Sequence, residues 1–304
     1  MNVADTGMPT MPPLAERFAA RGIDWIVPQW PVPSCVQAFV TTRNGGVSHG
    51  PRASLNLGDA SGRGATPEET AAIAENRRRV AAFLPAAPHW LEQVHGADVR
   101  IVHARDASDE PRPHRVEQMD GGSVGSVHAP DADDALPPRA DAAVTRDADV
   151  VLAVRVADCM PVLLCDRRGS VIAAAHAGWR GLAAGVLENA VAAMGCDATD
   201  VIAWLGPAIG PEAFEVGADV RDAFVRDDGH AAAAFVDRAP GKWLADLEAL
   251  ARRQLERVGV RSIHGGGMCT YSDAGRFFSF RRDRTSGRMA AFVWRDESRP
   301  ARRG

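Results

Sequence analysis

The sequence predicts a single α/β domain in which mixed β-sheets are flanked by helices. Strand-like apolar segments recur along the chain, helical segments lie between some of them, and several successive strands have no helix between them. Parallel neighbours need a crossover connection, so strands that follow one another directly favour sheets of mixed direction. No internal repeat and no clear linker divides the 304 residues.

The predicted elements begin after a loose N-terminal extension of residues 1–22, and the domain spans residues 23–304. The predicted strands are residues 36–42, 98–103, 149–157, 170–176, 201–206, 276–282 and 288–294. The predicted helices are residues 67–84, 178–194 and 243–258. Thr66 is the N-cap of the first helix, with Pro67 at its first position and Glu69 closing a capping box, and Gly195 ends the second.

An irregular insertion of about residues 105–139 is crowded with Pro, Gly, Asp and His. A stretch of this length without periodicity is typical of a surface insertion. It contains Gly121–Gly125, GGSVG, which formally matches the nucleophile elbow G-x-S-x-G. Because no strand and helix flank it to pin the serine on a strained turn, we interpret it as a flexible glycine loop.

Composition excludes several classes of protein. A net charge of -4 and a pI near 6.1 predict no nucleic-acid or anionic-membrane partner. Five cysteines form no C-x-x-C pair, which indicates a reducing, cytoplasmic compartment. No segment resembles a signal peptide or a membrane span. Lys242 is the only lysine and lacks a P-loop context, which argues against Schiff-base and P-loop chemistry. We expect a monomer or a weak homo-oligomer.

Three metal-binding residue types stand at strand or turn ends. His176 ends the apolar strand before a helix that starts near Gly178, and Cys159 follows a strand break at Asp158 that Pro161 is expected to force. His95 lies in a turn, where the following glycine is expected to let the backbone bend sharply. Each residue also has an ordinary interpretation, as a hydrogen-bonded packing histidine or an inert buried thiol. Together they match a three-ligand zinc site with a fourth position open to water.

Arginines beside glycine-rich turns are the candidate substrate contacts. Arg43 and Asn44 lie in TTRNGGVSHG, Arg180 lies at the predicted helix start after His176, and Arg281 lies in RFFSFRRD. Helix N-termini and guanidinium groups bind phosphate, and planar ligands stack on guanidinium groups. The alternatives are a hairpin turn and a solvated basic edge.

Ordered motifs along most of the chain resemble one family, the bacterial laccase-domain proteins. The matching segments lie between Val40 and Trp294 and include TTRNGGVSHGPRASLNLGD, QVHGADV, ADAAVTRDADVVLAVRVADCMPVLL, AAAHAGWRG, AWLGPAIGPEAFEVG, DLEALARRQL and GGGMCTYSDAGRFFSFRRDRTSGRMAAFVW. The resemblance leaves out residues 1–22 and the insertion. Val156 departs from it, because the family usually has threonine before Ala-Asp-Cys.

The resemblance implies a fold, a metal and a reaction. Members of this family, once labelled multicopper polyphenol oxidases, are described as purine nucleoside phosphorylases, with a fold similar to an α/β sandwich of cysteine hydrolases. By this resemblance His95, Cys159 and His176 hold zinc at the catalytic centre, and we assign Asp158 there as a proton donor or orienting group. The expected substrates are phosphate and adenosine, inosine, guanosine or methylthioadenosine, with adenosine deamination as a second activity.

Other functions stay open. A copper oxidase acting on polyphenols is less favoured, because nine histidines without any His-x-His pair could hardly hold four coppers. A single blue-copper centre with Met160 nearby is compatible with the ligand types. A cysteine hydrolase would use Cys159 as nucleophile and His176 or His95 as base. The family also resembles a peptidoglycan-precursor editing enzyme.

Overall fold

A computed structural model describes residues 12–58, 65–107 and 137–298 of the chain. Its strands are Val36–Val40 (β1), Pro88–His89 (β2), Val99–Ile101 (β3), Ala142–Thr145 (β4), Val151–Val156 (β5), Met160–Asp166 (β6), Ile172–Ala177 (β7), Val201–Leu205 (β8), Glu215–Gly217 (β9), Phe235–Ala239 (β10), Lys242–Ala245 (β11), Ser262–Gly265 (β12) and Met289–Arg295 (β13). Its α-helices are Leu14–Ala19 (α1), Pro67–Ala81 (α2), Trp179–Ala183 (α3), Val186–Met194 (α4), Ala218–Val225 (α5), Leu247–Arg257 (α6) and Phe280–Asp283 (α7).

Two mixed sheets form the centre of the fold. One has the strand order β1-β13-β5-β2, with antiparallel neighbours except for the parallel pair β2 and β5. The other has the order β12-β8-β6-β7-β4-β3, in which the outer pairs are parallel and the inner ones antiparallel. A third, small antiparallel sheet has the order β10-β11-β9 and packs into the same core as the six-stranded sheet. The predicted α/β fold with mixed sheets and flanking helices is therefore confirmed.

The alternation of side chains along each strand explains how these sheets stack. Val36, Ala38 and Val40 of β1 pack with Leu163 of β6 and Ala174 of β7 in one core between the two large sheets. Intervening residues of the same strands point to the opposite faces, because successive side chains in a strand alternate. Each large sheet thus buries both faces, and each outer face needs a cover of helices.

The cover on each side comes from a different part of the chain. Leu14 and Phe18 of α1 and Val80 of α2 pack against Phe39 of β1 and Phe292 of β13. On the far side, α3, α4 and α6 bury their apolar residues against β6 and β7. The order of layers is helix, sheet, sheet, helix. The expectation of a loose N-terminal extension is wrong for its described part, because Phe18 inserts into this aromatic core.

Several predicted elements are confirmed, and three need correction. The capping box at Thr66 and the end at Gly195 are present. The helix predicted over 178–194 is two helices, because Gly185 takes a left-handed φ of 89° between α3 and α4. Residues 242–245 are strand β11, and α6 begins only after its N-cap Asp246. The strand predicted over 276–282 is wrong, because Ser279 caps the short helix α7 there.

Most of the insertion of about residues 105–139, including the glycine loop at 121–125, lies outside the described residues. Among the residues that are described, no helix is long and apolar enough to span a bilayer.

Candidate metal centre

The hairpin of β6 and β7 places a thiol beside an imidazole. The strands pair antiparallel with Met160 opposite Ala177 and Pro161 opposite His176, and this register continues to Cys159 opposite Gly178. Side chains two residues apart diagonally across an antiparallel pair lie close together on one face. Cys159 and His176 therefore meet at the end of the hairpin, on the side of the sheet that faces the second sheet.

The turn before Cys159 is made by Asp158 and not, as expected, by Pro161. Asp158 has a φ of 83°, in the left-handed region that non-glycine residues rarely adopt. Pro161 does not force the turn, since it lies inside β6. The strain at Asp158 ends β5 and starts β6 within three residues, which fixes the thiol at the strand end.

His95 joins the pair from the loop before β3. It also has a left-handed backbone, with a φ of 62°, whereas the following Gly96 has no positive φ. The turn expected of the glycine is therefore made by the histidine itself. The His95 and His176 rings contact edge to face, with centroids 4.8 Å apart. The ligand-type atoms of His95, Cys159 and His176 all lie within 4.8 Å of one another.

Asp141, which the sequence analysis missed, holds these segments together. Its side chain is fully buried just before β4. Oδ1 accepts hydrogen bonds from the His95 backbone N–H at 3.0 Å and from His176 Nδ1 at 2.8 Å. Oδ2 accepts from the backbone N–H groups of Val94 at 3.1 Å and Gly96 at 2.7 Å. An ionised carboxylate only accepts, so Nδ1 of His176 carries the proton and Nε2 is free for the cluster.

Gly178 supplies the room for the thiol. A Cβ added at Gly178 would stand 2.7 Å from Cys159 Sγ and 3.2 Å from His95 Cδ2. This follows from the register, because a side chain directly opposite Cys159 would project onto the same face. The sequence signal was the glycine between His176 and Trp179, which we had assigned to the start of a helix. That helix, α3, has five residues.

The cluster favours a thiolate next to a charged imidazole when no metal is bound. Burial raises the pKa of the Cys159 thiol, but attraction to His176 and hydrogen bonds from both histidines outweigh it and lower the pKa to about 6. Burial lowers the pKa of His176, while Cys159 and Asp141 raise it to about 9. The centre thus accumulates negative charge on sulfur at neutral pH, which suits both metal binding and nucleophilic attack.

Asp158 and Arg281 contact each other beside this cluster. The Asp158 carboxylate accepts from the Thr270 hydroxyl at 2.7 Å and from the Arg281 backbone N–H at 2.6 Å. The Arg281 guanidinium donates to the Glu215 carbonyl and lies over the Phe214 ring. These contacts tie α7 and the segment after β12 to the residue before Cys159.

Of the other predicted substrate residues, Arg43 and Asn44 make hydrogen bonds within the protein and Arg180 stacks on an aromatic ring. The Arg43 guanidinium donates to the carbonyls of Ala53 and Ala274. Asn44 donates to Asp24 and lines a surface cavity of about 450 Å³. Arg180 is exposed and lies over the Trp179 ring. Their roles toward a substrate remain predictions.

Arg288 is a cation near the centre that the sequence analysis did not single out. It directly precedes β13, next to Gly287. Burial lowers the pKa of Arg288, while attraction to Cys159 and Asp158 opposes this and repulsion from Arg52 adds to it. The half-buried guanidinium of Arg288 donates to the carbonyls of Ser286 and Gly287. Its only signal in the sequence was its place in RTSGRMAAFVW.

Fold and site together define a class of protein: a helix–sheet–sheet–helix α/β protein with a His₂Cys cluster at one end of its central hairpin. The chain belongs to the family described as multi-copper polyphenol oxidoreductase laccase, whose model matches residues 37–296. This match includes every residue of the cluster.

Relatives at high identity carry a different name from the family. A protein of Escherichia coli strain K12 named purine nucleoside phosphorylase is 47% identical over 271 residues, which cover 88% of this chain and 98% of that protein. A protein of Pseudomonas aeruginosa with the same enzyme name is 46% identical over 271 residues, covering 89% and 98%.

Two solved structures agree with the fold described above. The crystal structure of Neisseria meningitidis protein NMB0706 gives a TM-score of 0.76 at 44% identity, covering 90% of this chain and 99% of that one. That of YlmD from Geobacillus stearothermophilus gives 0.72 at 32% identity, covering 87% and 93%.

Proposed function

We propose that this protein is a zinc-dependent purine nucleoside phosphorylase that also deaminates adenosine. The observation that carries the proposal is the convergence of His95, Cys159 and His176, with ligand-type atoms within 4.8 Å of one another. The names of relatives at 46% and 47% identity support the choice of reaction. Adenosine, inosine, guanosine and methylthioadenosine are the substrates we infer, with phosphate as the second substrate.

The donor set fits zinc. Two imidazoles and a thiolate around tetrahedral zinc would bring ligand atoms to about 3.4–3.6 Å from each other, from the usual Zn–N and Zn–S distances. The ligand atoms lie within 4.8 Å of one another, so the widest gap would close by about 1.2–1.4 Å on binding. Blue copper fits less well, because Met160 packs in the helix-side core on the opposite face of the sheet.

The metal and the residues around it would divide the chemistry. Zinc at this site would act as a Lewis acid and lower the pKa of bound water to about 7, which suits attack on C6 of adenine. In phosphorolysis, a phosphate oxygen forms a bond to C1′ of the ribose while the bond from C1′ to the purine nitrogen breaks. The departing purine then takes up a proton.

The chain's own residues would hold the reacting groups. We assign phosphate to Arg288, whose guanidinium is attracted to Cys159 and Asp158. Arg281 is the second cation we assign; its backbone N–H holds Asp158, while its guanidinium donates to the Glu215 carbonyl. Asp158 is held by Thr270 and Arg281, so it orients this side of the site. Asp141 keeps the proton of His176 on Nδ1 and thereby directs Nε2 to the metal.

Phosphate-dependent release of hypoxanthine from inosine, followed by chromatography alongside metal analysis, tests the proposal. Cys159→Ala and His176→Ala should lose both zinc and activity. Cys196→Ala and His230→Ala are controls for the loss of a thiol and an imidazole away from the cluster, and both should behave as wild type. Full activity in a metal-free Cys159→Ala protein would contradict the proposal. Conversion of adenosine to inosine without phosphate tests the deaminase activity separately.

A cysteine hydrolase is the second candidate, favoured by the lowered pKa of Cys159 beside His176. A thiolate and imidazolium pair is the usual arrangement of a cysteine nucleophile and its base. Alkylation of Cys159 with and without chelator separates the two. Zinc should protect the thiolate, so alkylation that is equally fast before and after chelation favours the hydrolase.

A further inference from the structure

A second cavity lies in the helical layer, across the six-stranded sheet from the His176 side chain. Its volume is about 170 Å³. It opens between the turn that joins α3 to α4, the end of α5 and the inner face of α6. The residues that matter for its chemistry are Glu188, Ala223, Asp228, Leu250, Arg253 and Gln254.

Two buried acceptor oxygens at this cavity have no donor among the described residues. Gln254 is only 8% exposed, and its Nε2 donates to the Leu182 carbonyl while Oε1 has no hydrogen-bond partner. Oε2 of Glu188 is likewise buried and unpartnered. Buried polar atoms without a partner are rare, because each costs the free energy of a lost hydrogen bond. Both orphans are acceptors, so the missing group is a donor.

The neighbouring cations are already engaged. Arg253 donates through two nitrogens to the Asp228 carboxylate, and Arg257 lies 3.7 Å from the same carboxylate. Burial raises the pKa of Glu188, which Arg257 only partly offsets. The rest of the lining is four alanines and Gly185, Phe224 and Leu250, the paired side chains of Asp228, Arg253 and Arg257, and Asp227, which adds a further carboxylate.

We propose that this cavity binds a short aliphatic primary amine as its ammonium ion. An ammonium has three N–H donors and no acceptor, which matches two orphan oxygens and the charge of Glu188. The alkyl chain would lie against Phe224 and Leu250. At about 30 Å³ per water, the cavity has the volume of about five or six water molecules, enough for an amine of about five heavy atoms.

The probe is 1-aminobutane, studied with the full chain by ligand-observed saturation-transfer NMR and by titration. Saturable binding with a dissociation constant in the millimolar range is expected for a ligand of five heavy atoms. 1-Butanol, which keeps the chain without the charge, and butyrate, which reverses the charge, should bind at least about tenfold more weakly.

Two variants and a control assign the binding to this cavity. Glu188→Gln keeps the shape and removes the charge, and it should weaken 1-aminobutane binding about tenfold or more. Ala223→Leu fills the cavity from α5, a helix where leucine is well tolerated, and it should abolish binding. Glu256→Gln removes an exposed charge from α6 that does not line the cavity, and it should bind as wild type.

The outcomes that overturn the proposal are distinct. A cavity occupied only by water gives no saturable signal with 1-aminobutane. Equal binding of 1-butanol makes it an apolar site without recognition of the ammonium. Binding that survives Ala223→Leu places the amine elsewhere on the protein. None of these results depends on nucleoside turnover, so the proposal stands or falls separately from the reaction at the His₂Cys cluster.

Discussion

Replacing Asp141 by asparagine hardly changes the size of the side chain, but it should lower both the zinc affinity of the candidate metal centre and the stability of the protein. The side chain is fully buried, and each of its oxygens accepts two N–H donors. In Asp141→Asn one oxygen becomes an NH₂ group, and in either orientation that group faces two donors. If it replaces Oδ1, it meets the His95 N–H and Nδ1 of His176. The imidazole can then relieve the clash only by moving its proton to Nε2, the nitrogen that should face the metal.

The structure sets the size of the effect. Hydrogen bonds to a charged group contribute roughly 1.5–3 kcal/mol each, so the loss of two should lower the free energy of unfolding by roughly 3–6 kcal/mol if they add. Groups that orient a histidine ligand are worth about 10–100-fold in metal affinity. Burial raises the pKa of Asp141, but hydrogen bonds from His176 and the loop outweigh it and lower the pKa. The stabilisation is therefore present above about pH 4 and is lost as the pH falls through the lowered folded-state pKa.

Urea unfolding and competitive zinc titration measure the two effects, and Asp166→Asn is the matched control. Asp166 is also buried and accepts from the backbone N–H groups of Ser170 and Val171 and from the Ser170 hydroxyl, at the other end of the β6–β7 hairpin. Both variants should lose stability, but only Asp141→Asn should lose zinc affinity. Asp141→Asn should also lose the part of the acid dependence that Asp141 contributes below about pH 4. Equal zinc affinity of Asp141→Asn and wild type would refute the orienting role of Asp141.

Three further predictions follow from contacts described by the structure. Gly178→Ala should strongly reduce the zinc content with little change in circular dichroism, because the added Cβ would lie 2.7 Å from Cys159 Sγ. A normal zinc content would show that the thiol does not lie beside residue 178. In metal-free protein, the rate of Cys159 alkylation should be half-maximal near pH 6. A midpoint near the ordinary thiol pKa of about 8.5 would contradict a thiolate at neutral pH. Asn76 is fully buried and hydrogen-bonded to the backbone of Val47 and Asn56. Asn76→Ala should therefore lower the free energy of unfolding, measured by urea denaturation, by roughly 2–4 kcal/mol, and a change below about 1 kcal/mol would contradict this.

Periodicity and ordered motifs were sufficient to predict mixed β-sheets flanked by helices and to select the three residues of the cluster. Strands such as Val201–Leu205 were predicted because a continuous apolar run shorter than a helix belongs in a buried strand. His95, Cys159 and His176 were found because each is a ligand type at a strand or turn end and because the family motifs QVHG, ADCMP and AHAGWRG contain them. These signals are local, so a single sequence carries them.

The missed features depend on contacts between distant segments. Asp141 is one of 39 acidic residues, and nothing local distinguishes a carboxylate that will accept hydrogen bonds from a loop more than forty residues earlier. Residues 242–245 look like the first turn of an amphipathic helix, but pairing with β9 and β10 overrides that preference. Gly185 divides a helix that its neighbours favour, because its φ suits the turn onto the helical layer.

The pairing of β6 with β7 makes the cluster sensitive to how the hairpin closes during folding. Both faces of β6 are buried and mostly apolar, so hydrophobic burial alone distinguishes poorly between the native pairing and one shifted by a residue. A shift of one residue would turn the Cys159 thiol toward the helix-side core and away from His176. Zinc bound at the proposed site would therefore favour chains whose central hairpin has closed correctly, and a zinc ion present during refolding would act as a template for the sheet.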